Sequence, residues 1–317
     1  MTLQTEIIIQ PMEQTVTYGD GLLFLGSCFA DEVGGLCKGL GFNAMVNPFG
    51  VLYNPASIAH SVERLDKGKP FCHDDVIAVG EGQYCTFSHN TAFWSRSEEE
   101  LLEKVNQGLA ETHERFMKSK LVVISLGTSW AFRNKETNKV VSNCHKLPAQ
   151  QFVREFLSTE QSVELLSEMV KHHPDKHFIF TVSPLRHLKD GLHGNQLSKA
   201  ALLLAVNEVC ERFGNAHYFP AYEILLDELR DYRFYKEDMV HPTEQAVRYI
   251  WERFTDFATD PKEKLAMKAA AELKQMLRHK PVFSESAAFK HFESLKNKKI
   301  EELKRLRPEI QIENLLS

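Results

Sequence analysis

The sequence predicts an α/β fold, a parallel sheet covered by helices on both faces. Short apolar, β-rich runs alternate with longer helical patterns along most of the chain. Hydrophobic residues make up 43% of the 317 positions, enough to bury a sizeable core.

The strand candidates are LLFL (22–25), FNAMV (42–46), LVVISLG (121–127), HFIFTV (177–182) and AHYFPAY (216–222). Helical patterns fall at about 28–40, 54–64, 97–118, 148–172, 194–213 and 242–258, with Pro148 and Pro242 read as first-turn openers. Between 71 and 96, DDVIAVGEGQYCTFSHN reads as two strands around a glycine-containing turn, a hairpin or flap inserted near one end of the sheet. The domain expected from this pattern covers 1–258. Residues 259–317 form a helical C-terminal extension, in which Ala288, Phe289, Phe292, Leu295, Ile300, Leu303 and Leu306 line one side with lysines between them. Such a stripe packs on the body or on a second copy, so a homo-oligomer through these helices is an expectation.

Composition excludes several classes. No run of about 18 apolar residues occurs and MTLQTEIIIQPMEQ carries no basic region, so neither membrane nor secretory routing is expected, and a cytoplasmic location is. Six cysteines without a CxxC pair read as reduced thiols. Fourteen histidines show no HExxH spacing, so no metal and no cofactor is expected. A net charge of −5 gives no reason to expect nucleic acid.

Chemistry gathers at strand ends. LLFLGSCFADEVGGLCKGLG (22–41) runs from a strand through Gly26 into a helix, placing Ser27 and Cys28 where a helix N-terminus favours an anion. The plainer reading is a capping serine beside a buried cysteine. In FYKEDMVHPTEQAV (234–247), Asp238 and His241 are three residues apart before a helix, so the carboxylate can orient one imidazole nitrogen and leave the other as a base. LVVISLGTSWAF (121–132) brings Gly127, Ser129 and Trp130 to another strand end, with Ser129 or nearby N–H groups as oxyanion donors. Asn47 and Gly50 in VNPFGVLYNP are further donors or an ordinary turn. Two loop stretches carrying His145, Ser183, Arg186, His187 and His193 are candidate pocket walls.

These stretches together resemble the GSCFA-domain family: GSCFA at 26–30, NPFGVLYNP, the Gly-Thr-Ser-Trp run, NCHKLP, TVSP and DMVHPT, spanning about residues 20–255. The resemblance implies a branch of the SGNH or GDSL-type hydrolases. Their fold is a three-layer α/β/α sandwich with a flavodoxin-like sheet, and their activity is hydrolysis or transfer of acyl groups, often O-acetyl groups on carbohydrates. The implied substrate is therefore a small-molecule or carbohydrate acyl compound, an ester or thioester. Aligning strand and glycine without a gap puts Ser27 on the superfamily's aspartate and Cys28 on its nucleophilic serine. The usual asparagine of the Gly-Asn-Asp block is replaced by Ser129, whereas Asp238 and His241 match unchanged. Cys28 is thus the expected attacker and Ser27 orders the turn, unless a one-residue shift reverses them. The remaining substrate set is Asn47, Gly50, Gly127, Ser129, Trp130 and His145. A competing reading keeps the fold as a non-catalytic carbohydrate-binding or scaffold module, with Trp130 stacking on a sugar.

Overall fold

The computed structural model describes residues 5–80, 82–278 and 287–315. Strand β1 (Gly21–Gly26) leads into helix α1 (Cys28–Lys38), then β2 (Ala44–Val46) and α2 (Pro55–Lys67). The inserted hairpin follows as β3 (Val76–Gly80) and β4 (Gln83–Thr86), antiparallel with Ile77 opposite Cys85, as the sequence suggests. Next come α3 (Glu98–Lys118), β5 (Ser119–Leu126) and three short strands, β6 (Trp130–Asn134), β7 (Val140–Val141) and β8 (Phe152–Phe156). The chain continues through α4 (Thr159–Lys171), β9 (His177–Val182), α5 (Gly191–Arg212), β10 (Ala216–Tyr218) and the short α6 (Ala221–Glu223), which widens into a π-helical turn at Ile224–Leu229. It ends with α7 (Glu244–Ala258), α8 (Lys264–Leu277) and α9 (Ala287–Leu306).

β2, β1, β5, β9 and β10 lie side by side in that order, all parallel. Numbered along this sheet the order is 2-1-3-4-5, the flavodoxin-like arrangement, which reverses between β1 and β5, the switch point at whose carboxyl ends open α/β sheets bind ligands. Alternation along the strands builds two cores. Leu22 and Phe24 of β1 join Leu121 and Val123 of β5 on one face, with Val33 of α1 and Ile250 of α7. Leu23, Leu25, Val122 and Ile124 face the other way, onto α2, α3, α4 and α5. The three central strands, β1, β5 and β9, are buried on both faces, which is why their runs read as continuously apolar.

Three sequence expectations change. The helix expected over 148–172 is instead one 3-10 turn at Ala149–Gln151, then β8, then α4. FVREF pairs with β6 in a small antiparallel sheet ordered β7-β6-β8, and the helix starts only where Ser158 and Gln161 form a reciprocal capping box. The run 216–222 stops as strand at Tyr218, ahead of Pro220. Pro242 lies outside α7: Thr243 is the N-cap, its hydroxyl accepting from Ala246 N–H, while Pro242 bridges to Tyr235.

The C-terminal helices share the first core. Leu303 is 0% exposed, and Ile310 and Leu315 are buried with it in the cluster that holds Phe42, Ala270 and Phe254. Glu272 of α8 pairs with Lys299 of α9, and buried Glu263 accepts from Arg307 at 2.5 Å. In the predicted stripe, Leu295 and Leu306 stay exposed and Ile300 packs partly on the core; the side chain of Ala288 lies outside the described residues. Replacing Leu303 with alanine removes a fully enclosed side chain. The expected loss is about 2–5 kcal/mol of unfolding free energy in urea titration of the whole chain. A change near zero would show that this helix lies outside the cooperative unit.

Candidate active site

The site grows from the end of β1. Gly26 has φ +133, and a Cβ there would sit 2.1 Å from the Ser125 carbonyl oxygen, so only glycine lets β1 and β5 run together to this point. The Gly26 N–H donates to Asn47 Oδ1 at 2.8 Å, and its carbonyl accepts from Leu52 N–H at 2.8 Å. Ser27 is the N-cap of α1. Its hydroxyl accepts from Phe29 N–H at 3.2 Å and shares a 2.9 Å hydrogen bond with Ser125 Oγ, and the residue is 2% exposed. Cys28, the first residue of α1, is half-buried and points the other way, its Sγ 3.7 Å from Tyr53 Oη. Its backbone N–H makes no hydrogen bond among the described residues, as expected for a first-turn donor.

Asp238 and His241 close a tight turn in which Met239 takes φ +56. Asp238 Oδ2 accepts from His241 Nδ1 at 2.7 Å, which fixes the tautomer with hydrogen on Nδ1. Oδ1 accepts the backbone N–H groups of Val240 and His241, each at 2.9 Å. Those backbone donors, reinforced by the imidazole, hold the Asp238 carboxyl down at about 2. His241 Nε2 has no hydrogen-bond partner among the described residues. Glu32, one helical turn beyond Cys28 on the same side of α1, lies 3.8 Å from Lys236 and senses the His241 charge. Burial raises its carboxyl, and the Lys236 ammonium opposes the rise. Glu32 thus brings its side of α1 near the Asp238–His241 turn, and no hydrogen bond joins Cys28 to His241 among the described residues.

The remaining sequence candidates are engaged elsewhere. Asn47 donates from Nδ2 to Asp31 at 2.6 Å and accepts from the Gly26 N–H on Oδ1, and Gly50 donates its N–H to the Asn47 carbonyl at 2.7 Å. The N–H groups of Gly127 and Thr128 both donate to the Tyr53 carbonyl, at 2.8 and 2.9 Å. Ser129 is fully buried, its N–H donating to Ser198 Oγ at 2.7 Å and its hydroxyl to the Ser198 carbonyl at 2.9 Å. Trp130 is covered by the Arg154 guanidinium at 4.3 Å and abutted by the Phe156 ring, and its buried indole N–H has no partner among the described residues. His145 sits under the hairpin. It accepts from Trp94 Nε1 on Nδ1 and meets the Thr86 carbonyl through Nε2, both at 2.8 Å, so it is a neutral link with no free ring nitrogen.

Two residues that sequence reading did not single out belong here. Tyr53 closes the VNPFGVLYNP stretch and is the neighbour of the Cys28 sulfur. Lys199 of α5 is 1% exposed and donates to the Gly127 and Ser183 carbonyls at 2.7 and 2.6 Å. Burial, aided by Arg186, pushes its ammonium down to about 7. The available signal was helical spacing, since Asn195, Ser198, Lys199 and Leu202 share one face of α5. His187 also reaches the Gly127 carbonyl, at 2.9 Å. A separate cavity of about 1060 Å³, with His60, Arg64 and His173 in its wall, contains none of the candidate residues. Among the described residues no three of His, Cys, Asp or Glu gather as metal ligands, and no helix is long and apolar enough to cross a membrane.

Comparison with known proteins gives one family and distant likenesses among solved structures. The GSCFA family model matches residues 21–254. No curated protein matches the chain. A solved carbohydrate esterase family 2 enzyme with a carbohydrate binding domain, from Corynascus thermopiles (Myceliophthora fergusii), is 16% identical with a TM-score of 0.26, the match covering 49% of this chain and 38% of that one. An acetyl xylan esterase from the rumen bacterium Butyrivibrio proteoclasticus is 13% identical with a TM-score of 0.37, over 80% of this chain and 66% of that one. This chain thus spans less than two thirds of either protein.

Lys199 makes stability depend on pH. An unfolded lysine holds its proton up to about 10.5 and the buried one only to about 7, so between these values the unfolded state binds more protons and stability rises with pH. Relative to Lys199→Met, the wild-type chain is expected to gain stability from pH 7 to pH 9.5 in denaturant titrations. A difference that stays flat across that range would contradict it.

Proposed function

The chain belongs to the GSCFA family, and on that premise we propose that it is an acyl-transfer enzyme working through a covalent acyl group on Cys28. The observation that carries this is the division of labour at one turn. Ser27 is buried and held by Ser125 and Phe29, while Cys28 holds a half-buried sulfur at the start of α1, one helical turn before Glu32, whose carboxylate lies 3.8 Å from Lys236 beside the Asp238–His241 turn. A helix start favours negative charge, which suits a thiolate nucleophile.

In this reading Asp238 holds His241 Nδ1–H, and Nε2 takes the proton from Cys28 Sγ. The sulfur attacks the acyl carbon of an ester. A C–S bond forms as the carbonyl electron pair moves onto oxygen, near the unpaired Cys28 N–H. When that pair returns, the C–O bond to the alcohol breaks and His241 gives its proton to the departing alkoxide. Water then attacks the thioester carbon, passing its proton to His241. The C–S bond breaks, the carboxylic acid leaves, and the proton returns to sulfur. A second alcohol in place of water would yield a new ester, so hydrolysis and transfer share the same residues. Acylated carbohydrates are the substrate class that the family resemblance suggests.

The test separates the two adjacent nucleophiles. With 4-nitrophenyl acetate, Cys28→Ala and His241→Ala are each expected to lower kcat by on the order of 10³-fold or more. Ser27→Ala should keep turnover while losing about 1 kcal/mol of stability as its helix cap goes. Intact-mass and peptide mapping should find one acetyl group on residues 26–30. Full turnover by Cys28→Ala would overturn the reading, and sugar binding without any turnover would favour the carbohydrate-binding module.

A further inference from the structure

An acyl-transfer site needs a donor for the oxyanion, and the donors expected from sequence already have partners. The N–H of Gly50, those of Gly127 and Thr128, the Ser129 hydroxyl and the Asn47 amide are bonded to Asn47, Tyr53, Ser198, and Asp31 with Gly26 respectively. At the position of the superfamily asparagine the chain carries Ser129, whose two polar groups both face α5. Beside the sulfur there is a different group. Tyr53 Oη lies 3.7 Å from Cys28 Sγ and has no other hydrogen-bond partner among the described residues.

Tyr53 is held firmly for this purpose. Its carbonyl accepts from Gly127 and Thr128, tying it to the end of β5. Its ring lies against Gly127, where a Cβ would come within 3.1 Å of it, and the His187 ring meets it edge-on at 6.4 Å between centroids. The following residue, Asn54, caps α2 through its side chain, so the backbone after Tyr53 is fixed as well. Burial, and then the neighbouring Cys28, hold the phenol above its ordinary value.

We infer that Tyr53 is a further catalytic residue, its hydroxyl donating to the oxyanion that forms when Cys28 attacks an acyl carbon. The inference rests on the acyl-transfer reading above. A hydroxyl next to the sulfur is within reach, about 2.7–3.1 Å, of an oxygen on the carbon the sulfur has just bonded. When Cys28 Sγ bonds that carbon and the carbonyl pair moves to oxygen, Tyr53 O–H and Cys28 N–H converge on the new charge. Neither transfers its proton. Both bonds weaken again when the pair returns and the C–O bond breaks.

Tyr53→Phe removes only the oxygen and keeps the ring on Gly127. With 4-nitrophenyl acetate, kcat is expected to fall about 10²-fold with KM within about twofold, the pattern of an interaction made only in the transition state. Alkylation of Cys28 by iodoacetamide, which generates no oxyanion, should keep its wild-type rate, and the unfolding midpoint should stay in place. Wild-type kcat in the variant would overturn the inference. So would an equal loss of alkylation rate, which would mean that the hydroxyl acts on the thiol instead. If the wild-type chain never places an acetyl group on Cys28, the acyl-transfer reading itself falls and this inference with it, a result seen before any variant is made.

Discussion

The carboxyl edge of the sheet depends on Asn47. It is 8% exposed, adopts φ +41, and uses every polar group it has. Its N–H donates to the Phe24 carbonyl, its carbonyl accepts from Gly50, its Oδ1 accepts from Gly26, and its Nδ2 donates to Asp31. One side chain thereby joins the last residues of β1, the first turn of α1 and the loop after β2. The Gly26 N–H, whose hydrogen bond is buried, would otherwise be a buried donor without a partner, at a cost of about 1–3 kcal/mol. Asp31 shows the same dependence: burial raises its carboxyl and the Asn47 amide opposes that rise.

With that turn fixed, the orientations of Ser27 and Cys28 follow. Gly26 brings the backbone against Ser125, so the next residue can satisfy both its N–H and its hydroxyl on β5, and a small polar residue fits there. Successive residues at a helix start point about 100° apart, so the one after it faces the crevice. The same logic applies at the end of β5. Gly127 leaves room for the Tyr53 ring, its N–H goes to the Tyr53 carbonyl, and Ser129 then turns onto α5. Both turns are tied to their neighbouring elements by these hydrogen bonds.

The parallel sheet was legible because its strands are buried on both faces, so LLFL, LVVISL and HFIFTV stand out as unbroken apolar runs. The Asp238–His241 contact was legible for a similar reason, since three residues of chain contain the whole interaction. Contacts made across the fold left no local mark. Ser129 meets Ser198 and His145 meets Trp94, partners 69 and 51 residues away, so a serine and a histidine that look available in sequence are already bonded in the fold. The small sheet of β6, β7 and β8 went unseen because Pro148 resembles a helix start, whereas the decisive signal was the Ser158–Gln161 box ten residues later. Tyr53 was hidden for the opposite reason: its motif is conspicuous, but only the packing shows which of its residues meets the sulfur.

Lys199 exposes a constraint that any site at this edge must meet. Parallel strands end with carbonyls that have no further strand to bond, and those of Gly127 and Ser183 are buried. α5 answers with a polar patch on its buried face, Asn195 two turns and Ser198 one turn before Leu202, with Lys199 beside Ser198. A lysine there reaches two carbonyls at once, which no shorter side chain on the helix does. A full charge without a carboxylate nearby is costly to bury, and the ammonium yields its proton near neutrality as a result. The neutral amine still donates two hydrogens, so the two strand ends stay satisfied whether or not the charge is present. The edge that carries Gly127 is thus held by hydrogen bonds that survive the loss of the proton, and only the energy of the fold, not its geometry, need change with pH.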